Sequence, residues 1–193
     1  IYAANLQKAG VEIFPSRAVV EGPNAVRLVA SGRVITARVI LVATGARPSF
    51  DPTLPGREHT ITSDEIFHLA AQPRRIVIAG GGYIAVEFAS LLAGLGTETT
   101  LVYRGAEILR GFDMDVRKHV RHELEKRGVT VMLGDIFTRV VKRPDELLVS
   151  LRSGRDLEVD QVMMAIGRKP NTAGLGLEAA AVELGPEGRV AVD

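Results

Sequence analysis

The chain of 193 residues contains no cysteine. Disulfide frameworks, thiolate metal sites and cysteine redox chemistry are therefore excluded within this stretch, and any redox group must lie elsewhere. Charge of one sign is also missing. With 24 Lys and Arg against 23 Asp and Glu, the formal net charge is +1. Such a balance builds no single-sign field that would favour nucleic acid or an anionic membrane. No apolar run approaches the roughly 20 residues of a membrane span, and no basic-then-apolar leader opens the chain. A soluble, cytoplasmic protein is the expectation. Histidine is scarce too, at four residues. His119 and His122 sit three apart on an expected helix with no third ligand in sight, so no metal site is read. Ile1 in place of an initiator Met, and a strand-like Arg189–Val192 just before the last residue, make both ends read as cuts.

What is present suits an α/β protein: 46% hydrophobic residues, rich in Val, Ile, Leu and Ala, with only 5% aromatic. Short β-branched runs at 11–14, 17–20, 25–30 and 34–36 alternate with turns and predict an antiparallel meander. It leads into Val39–Ala43, a continuous apolar run expected to be a strand buried on both faces. Three prolines at 48, 52 and 55 then mark a domain junction. Thr62-Ser-Asp-Glu65 has the form of a capping box, with a short helix expected through Ala70. Strand 75–79, the cluster Gly80-Gly81-Gly82, a helix from about Tyr83 to Ala93 and strand 98–103 open a βαβ unit. Asp113 is positioned to cap a helix to Arg127, with Val116, Val120 and Leu124 along one face and Gly128 as its stop. Strand 129–133 follows.

An internal repeat organises the rest. A second meander from Leu147 reaches Ser153-Gly154-Arg155, as the first reaches Ser31-Gly32-Arg33. Ser31 to Ser153, Ala43 to Ala165 and Pro48 to Pro170 are each 122 residues apart. Turn, apolar run and run-end motif thus repeat in register, which chance explains poorly. The reading is a duplicated nucleotide-binding domain whose second copy is whole and whose first has lost its glycine fingerprint upstream of Ile1.

Gly80-x-Gly82-x-x-Ala85 follows an apolar strand and opens a helix, as a dinucleotide fingerprint requires. Gly80 permits the tight turn, Gly82 lets the backbone approach a pyrophosphate at the helix N-terminus, and Ala85 allows close helix packing. Alone, the motif is equally a glycine-rich turn without a ligand. Cofactor choice is read after the next strand, where an acidic residue would hold the ribose hydroxyls of NAD. Here stands Arg104, followed by Arg110, with Glu107 between them as the loop's counter-charge. Guanidinium forks suit a 2′-phosphate, so NADPH is favoured over two merely solvated arginines.

The strings Gly80-Gly-Gly-Tyr-Ile-Ala-Val-Glu87, Tyr103-Arg104 and Ile108-Leu-Arg-Gly-Phe-Asp113 resemble the NADPH-domain signature of the glutathione reductase family. So do Ala43-Thr-Gly45, Thr62–Glu65, Ala165-Ile-Gly-Arg-Lys-Pro-Asn171 and Leu175-Gly-Leu-Glu178, in the same order. The resemblance implies a Rossmann-like three-layer NADPH-binding domain with a β-meander, plus incomplete pieces of a similar FAD domain. By it, residues 1–46 end the first FAD-domain segment, 47–170 form the NADPH-binding domain and 171–193 begin the FAD-domain return. It further implies that Gly80, Gly81, Gly82, Ile84 and Glu87 line the nicotinamide cofactor site, with Arg104 and Arg110 on the 2′-phosphate. Tyr83 would gate the nicotinamide pocket, and Glu87 would pair with a lysine that this stretch does not reveal. Gly167 would approach the cofactor, Arg168 would face the flavin, and Ala18, Thr44 and Gly45 would border FAD.

Members of that family pass a hydride from NADPH to FAD, then reduce a cysteine pair that attacks glutathione disulfide. The resemblance therefore implies a homodimeric parent enzyme, of which this cysteine-free stretch alone is expected to be inactive. Trypanothione, mercuric and thioredoxin reductases remain alternatives, as does a non-catalytic NADPH-sensing module. Dihydrolipoamide dehydrogenase uses NAD, and the two arginines argue against it.

Overall fold

A computed structural model describes residues 1–192. It divides into two compact units, one of Ile1–Arg47 with Lys169–Asp193 and the other of Pro48–Arg168.

The first unit opens on helix α1 (Tyr2–Lys8), which buries none of its residues. Strands β1 (Ala18–Gly22), β2 (Ala25–Leu28) and β3 (Val34–Thr36) form an antiparallel meander in that order. The expected run at 11–14 forms no strand. Gly32 makes the tight turn at φ +69°, a conformation that costs glycine little. The returning segment closes on this meander: Val20 N–H donates to Leu175 O at 2.7 Å, Arg17 Nη2 to Gly174 O at 3.1 Å, and Leu177 is buried.

The apolar run Val39–Ala43 departs from expectation. It adopts no strand, and Val39 and Leu41 are 82% and 86% exposed. A strand buried on both faces needs a ladder partner and cover. Among the described residues, no strand pairs with it.

The chain crosses between units in two short strands, β4 (Ala46–Pro48) and, later, β12 (Arg168–Pro170). In the second unit the Thr62–Glu65 box forms with one change. The Glu65 carboxylate accepts from Thr62 N–H at 2.8 Å as expected, but it also accepts from the Thr62 hydroxyl at 2.6 Å. The hydroxyl in turn accepts from Asp64 N–H, and the helix is a single 3₁₀ turn, Glu65–His68, which ends before Ala70. These hydrogen bonds from Thr62 hold the Glu65 carboxyl below its ordinary range.

Beyond it come β5 (Arg75–Ala79), α2 (Tyr83–Gly94), β6 (Glu98–Tyr103), α3 (Met114–Lys126) and β7 (Thr130–Leu133). The Asp113 carboxylate caps α3, accepting from Asp115 N–H at 2.9 Å. On the face expected to be apolar, Leu124 is buried and Val116 is exposed. Strands β8 (Phe137–Lys142), β9 (Leu147–Leu151) and β10 (Asp156–Val159) form a second antiparallel meander, which feeds β11 (Gln161–Met164). The crossing strand β12 (Arg168–Pro170) follows. Sequence reading missed β8 because a bulge between Phe137 and Arg139 breaks its alternation.

Strands β7, β6, β5 and β11 lie side by side, all parallel. Along β5 the side chains alternate between two cores. Ile76 and Ile78 join the cluster of Ala85, Ala89 and Leu92 from α2 and Leu124 from α3. Val77 and Ala79 join the meander residues Val140, Val149, Leu151 and Val159. Helices, parallel sheet and meander thus make three layers, a Rossmann-like α/β unit.

Candidate functional site

In the parallel sheet the chain moves outward from β5 to β6 to β7 and then returns to the other side of β5 as β11. The order of connection reverses between β5 and β11. Such a switch point opens a crevice at the carboxyl ends of the strands, where open α/β sheets bind ligands. A cleft of about 830 Å³ lies there. Its walls are the residues that end β5, β6 and β11, the start of α2, and the segment after β7.

Gly80 leaves β5 with φ +141°, and a Cβ there would collide with the main-chain carbonyl of Ala165 at the end of β11. Glycine is required because the two strand ends converge. A Cβ on Gly81 would strike the ring of Tyr103, so that ring lies flat against the glycine turn. At Gly82 a Cβ would meet nothing within 4 Å, so the backbone fronts open space. Gly82 also caps α2 without a side chain, and no acidic residue occupies the first turn. The helix therefore presents unsatisfied N–H groups and the positive end of its dipole to the cleft. Ala85, fully buried, lets α2 pack directly on the sheet. These are the features a pyrophosphate cradle needs, and a pyridine dinucleotide fits the residues present.

Tyr83 stands at the mouth, 59% exposed, and Ile84 lines the cleft beside it. Arg104, directly after β6, and Arg110 both line the cleft. Both are exposed, and neither forms a hydrogen bond or ion pair with a described residue. Glu107, expected to be the counter-charge of this loop, does not face them. It is buried, with its carboxylate 3.1 Å from Arg121 Nε. Gly167 follows β11 at φ +138° with its carbonyl accepting from Ser49 N–H at 2.9 Å, and Arg168 lies next to it on the cleft wall.

The cleft gathers Gly80, Gly81, Gly82, Tyr83, Ile84, Arg104, Arg110, Gly167 and Arg168. It does not include Glu87, which lies one helical turn beyond Tyr83 on the exposed side of α2 and whose carboxylate has no partner among the described residues. Ala18, Thr44 and Gly45 belong to the first unit. Ala18 is half-buried in β1, Thr44 is exposed, and a Cβ on Gly45 would meet nothing within 4 Å.

Sequence reading missed one wall of the cleft, Asp135, Ile136, Phe137 and Arg152. Burial disfavours the charge on Asp135, but hydrogen bonds from Ser153 and from Ile136 N–H outweigh it and keep the carboxyl below its usual range. Asp135 thereby ties the end of β7 to the β9–β10 turn. Arg152 Nη2 donates to Gly134 O at 2.8 Å. The available signal was the Gly134-Asp135 turn directly after β7, since every parallel strand ends at this cleft.

The family model for pyridine nucleotide-disulphide oxidoreductases matches residues 2–193. The chain belongs to that family. Glutathione reductase from Burkholderia cepacia is 46% identical over 193 residues, covering 100% of this chain and 42% of that protein. Trypanothione reductase from Trypanosoma congolense is 40% identical over 163 residues, 82% of this chain and 33% of that protein. Of solved structures, the HOCl-induced flavoprotein disulfide reductase RclA from Escherichia coli aligns with a TM-score of 0.87 at 28% identity, over 99% of this chain and 44% of that one. LpdA from Mycobacterium tuberculosis aligns at 0.83 with 29% identity, over 99% and 44%. The chain spans less than half the length of each of these proteins. Among the described residues, no helix is long and apolar enough to cross a membrane, and no group of three His, Cys, Asp or Glu residues could hold a metal.

Proposed function

We propose that Pro48–Arg168 is the NADPH-binding unit of a flavoprotein disulfide reductase that acts on glutathione disulfide. The observation that carries the reading is the pair Arg104 and Arg110. Both line one cleft after β6, at the position where an NAD enzyme would place a carboxylate, and the carboxylate between them in sequence, Glu107, is paired elsewhere. The 46% identity to a glutathione reductase supports the choice of disulfide.

In this reading NADPH supplies a hydride. The amides at the start of α2, with Gly80, Gly81 and Gly82, hold its pyrophosphate. Arg104 and Arg110 hold the 2′-phosphate. Tyr83 and Ile84 border the nicotinamide, and Tyr83, exposed on the first turn of α2, is free to cover or uncover it. Gly167 and Arg168 close the opposite wall. Glu87, Ala18, Thr44 and Gly45 are assigned to the flavin side. FAD and the redox cysteines belong to the complete enzyme, read as a cytoplasmic homodimer, and this cysteine-free stretch alone turns nothing over.

The test is kcat/KM of the complete enzyme with NADPH and NADH. Each charge-assisted contact to the phosphate is worth about 1.5 kcal/mol at an exposed site. Arg104→Ala with Arg110→Ala should therefore cost NADPH on the order of a hundredfold, with NADH nearly unchanged. Equal losses for the two cofactors would make the arginines structural and withdraw the assignment.

A further inference from the structure

The loop between β6 and α3 carries Arg104, Glu107 and Arg110, and the fold sorts them by charge. The two cations line the cleft with no partner among the described residues, whereas the anion pairs with Arg121 and is buried. Both carboxylate oxygens of Glu107 accept from Arg121 Nε at 3.1 Å, and one accepts from Ile108 N–H at 3.1 Å. Arg117, one turn earlier on α3, donates from Nε to Ile108 O at 2.6 Å and from Nη2 to Glu107 O at 2.8 Å. Ile108 and Leu109 are buried beneath the loop. Leu109 holds φ +54°, which side-chain-bearing residues adopt only when their surroundings impose it. Its N–H donates to Gly81 O at 2.6 Å, joining this loop to the glycine turn.

We propose that Glu107, Arg117 and Arg121 are positioning residues for cofactor discrimination. They lock the β6–α3 loop in the conformation that offers Arg104 and Arg110 to one phosphate, and they withdraw the loop's carboxylate from competition for those cations. The inference rests on the reading of the cleft as an NADPH site. Two side chains presented from a fixed loop bind without first losing that freedom, which is the gain of preorganisation. A released Glu107 would instead pair with Arg104 or Arg110 and mimic the phosphate internally.

Calorimetry on the complete enzyme with adenosine 2′,5′-bisphosphate and adenosine 5′-monophosphate tests this without turnover. Wild type should prefer the bisphosphate; no preference would overturn the NADPH reading itself. Given that preference, Arg121→Ala should weaken the bisphosphate by about tenfold, or about 1.4 kcal/mol, and the monophosphate by less than about twofold. Arg121→Lys, which keeps the charge, should restore part of the loss. In a background already carrying Arg104→Ala and Arg110→Ala, Arg121→Ala should cost nothing further. Equal losses for both ligands, or a loss that persists in that background, would show a merely structural role and overturn the proposal. If Arg121→Ala does not fold, Glu107→Gln carries the same comparison. It leaves Arg121 its second partner, Glu125 at 3.0 Å, and should cost the bisphosphate about threefold, half a decade.

Discussion

The two meanders of this chain share a turn and a strand order yet deliver their chain to different fates. Gly32 and Gly154 occupy turns in register at φ +69° and +87°, the first one residue wider than the second, and β1, β2 and β3 correspond to β8, β9 and β10. After the second meander, β11 pairs with β5, and Val162 and Met163 are fully buried. Its far edge is also held, because Ile61 N–H donates to Val162 O at 2.8 Å and Ile61 O accepts from Met164 N–H at 2.7 Å. After the first meander, the matching run at 39–43 forms no strand and stays exposed. An apolar run of strand length becomes a buried strand only where neighbours satisfy its backbone on both edges.

The largest effect that could break this comparison comes from placing a charge in each run. Val162→Asp buries a carboxylate with no partner, which should cost several kcal/mol and abolish cooperative unfolding of the second unit. Leu41→Asp, at an 86% exposed position, should stay within about 0.5 kcal/mol. Urea unfolding followed by circular dichroism measures both. Comparable losses would mean that the first run is covered after all.

Gly80→Ala probes the junction where β5 meets the end of β11. The added methyl collides with the Ala165 main chain in an unfavourable φ, so a loss above about 2 kcal/mol is expected. The shift in urea midpoint reports it, and an unchanged midpoint would mean that the strand ends do not converge.

Gly32→Ala and Gly154→Ala sharpen the likeness instead. At both sites a Cβ would meet nothing within 4 Å, so only the positive φ is penalised, by about 1 kcal/mol in each case. Melting of the two variants should show similar losses. A large difference would set the turns apart in spite of their register.

The smallest effect is pH-dependent. Asp160 precedes β11, whereas the equivalent place before the first run holds Arg38. Burial opposes ionisation of Asp160, but hydrogen bonds from the Arg75 side chain and from the N–H groups of Arg75 and Arg74 prevail and hold its carboxyl below the ordinary range. The resulting stability is complete above the unfolded value of about 3.9 and disappears as pH falls through the lower folded value. Asp160→Asn should therefore lower the melting temperature near neutral pH and narrow its gap to wild type below about pH 4. A gap that stays constant with pH would assign the loss to packing.

Local patterns were enough to locate β5, α2, β6 and α3 within a residue or two, because each carries its own stop signals and periodicity: the glycine turn, the Asp113 cap, Gly128. The same local chemistry marked Gly80 and Gly82 as backbone positions and Arg104 and Arg110 as a cationic pair. What no local signal carried was arrangement. The bulge hid β8, the Asp135 and Arg152 wall formed only when β7 and the second meander met, and Glu107 faced away from the cleft because Arg121, on the helix that follows, offered a half-buried partner. The sequence by itself determined the order of elements and the charge of the site, since propensity, capping and residue type act over a few neighbours. Which apolar run found edges to pair with, and which charge faced the cleft, only the tertiary structure decided, because both depend on partners far along the chain.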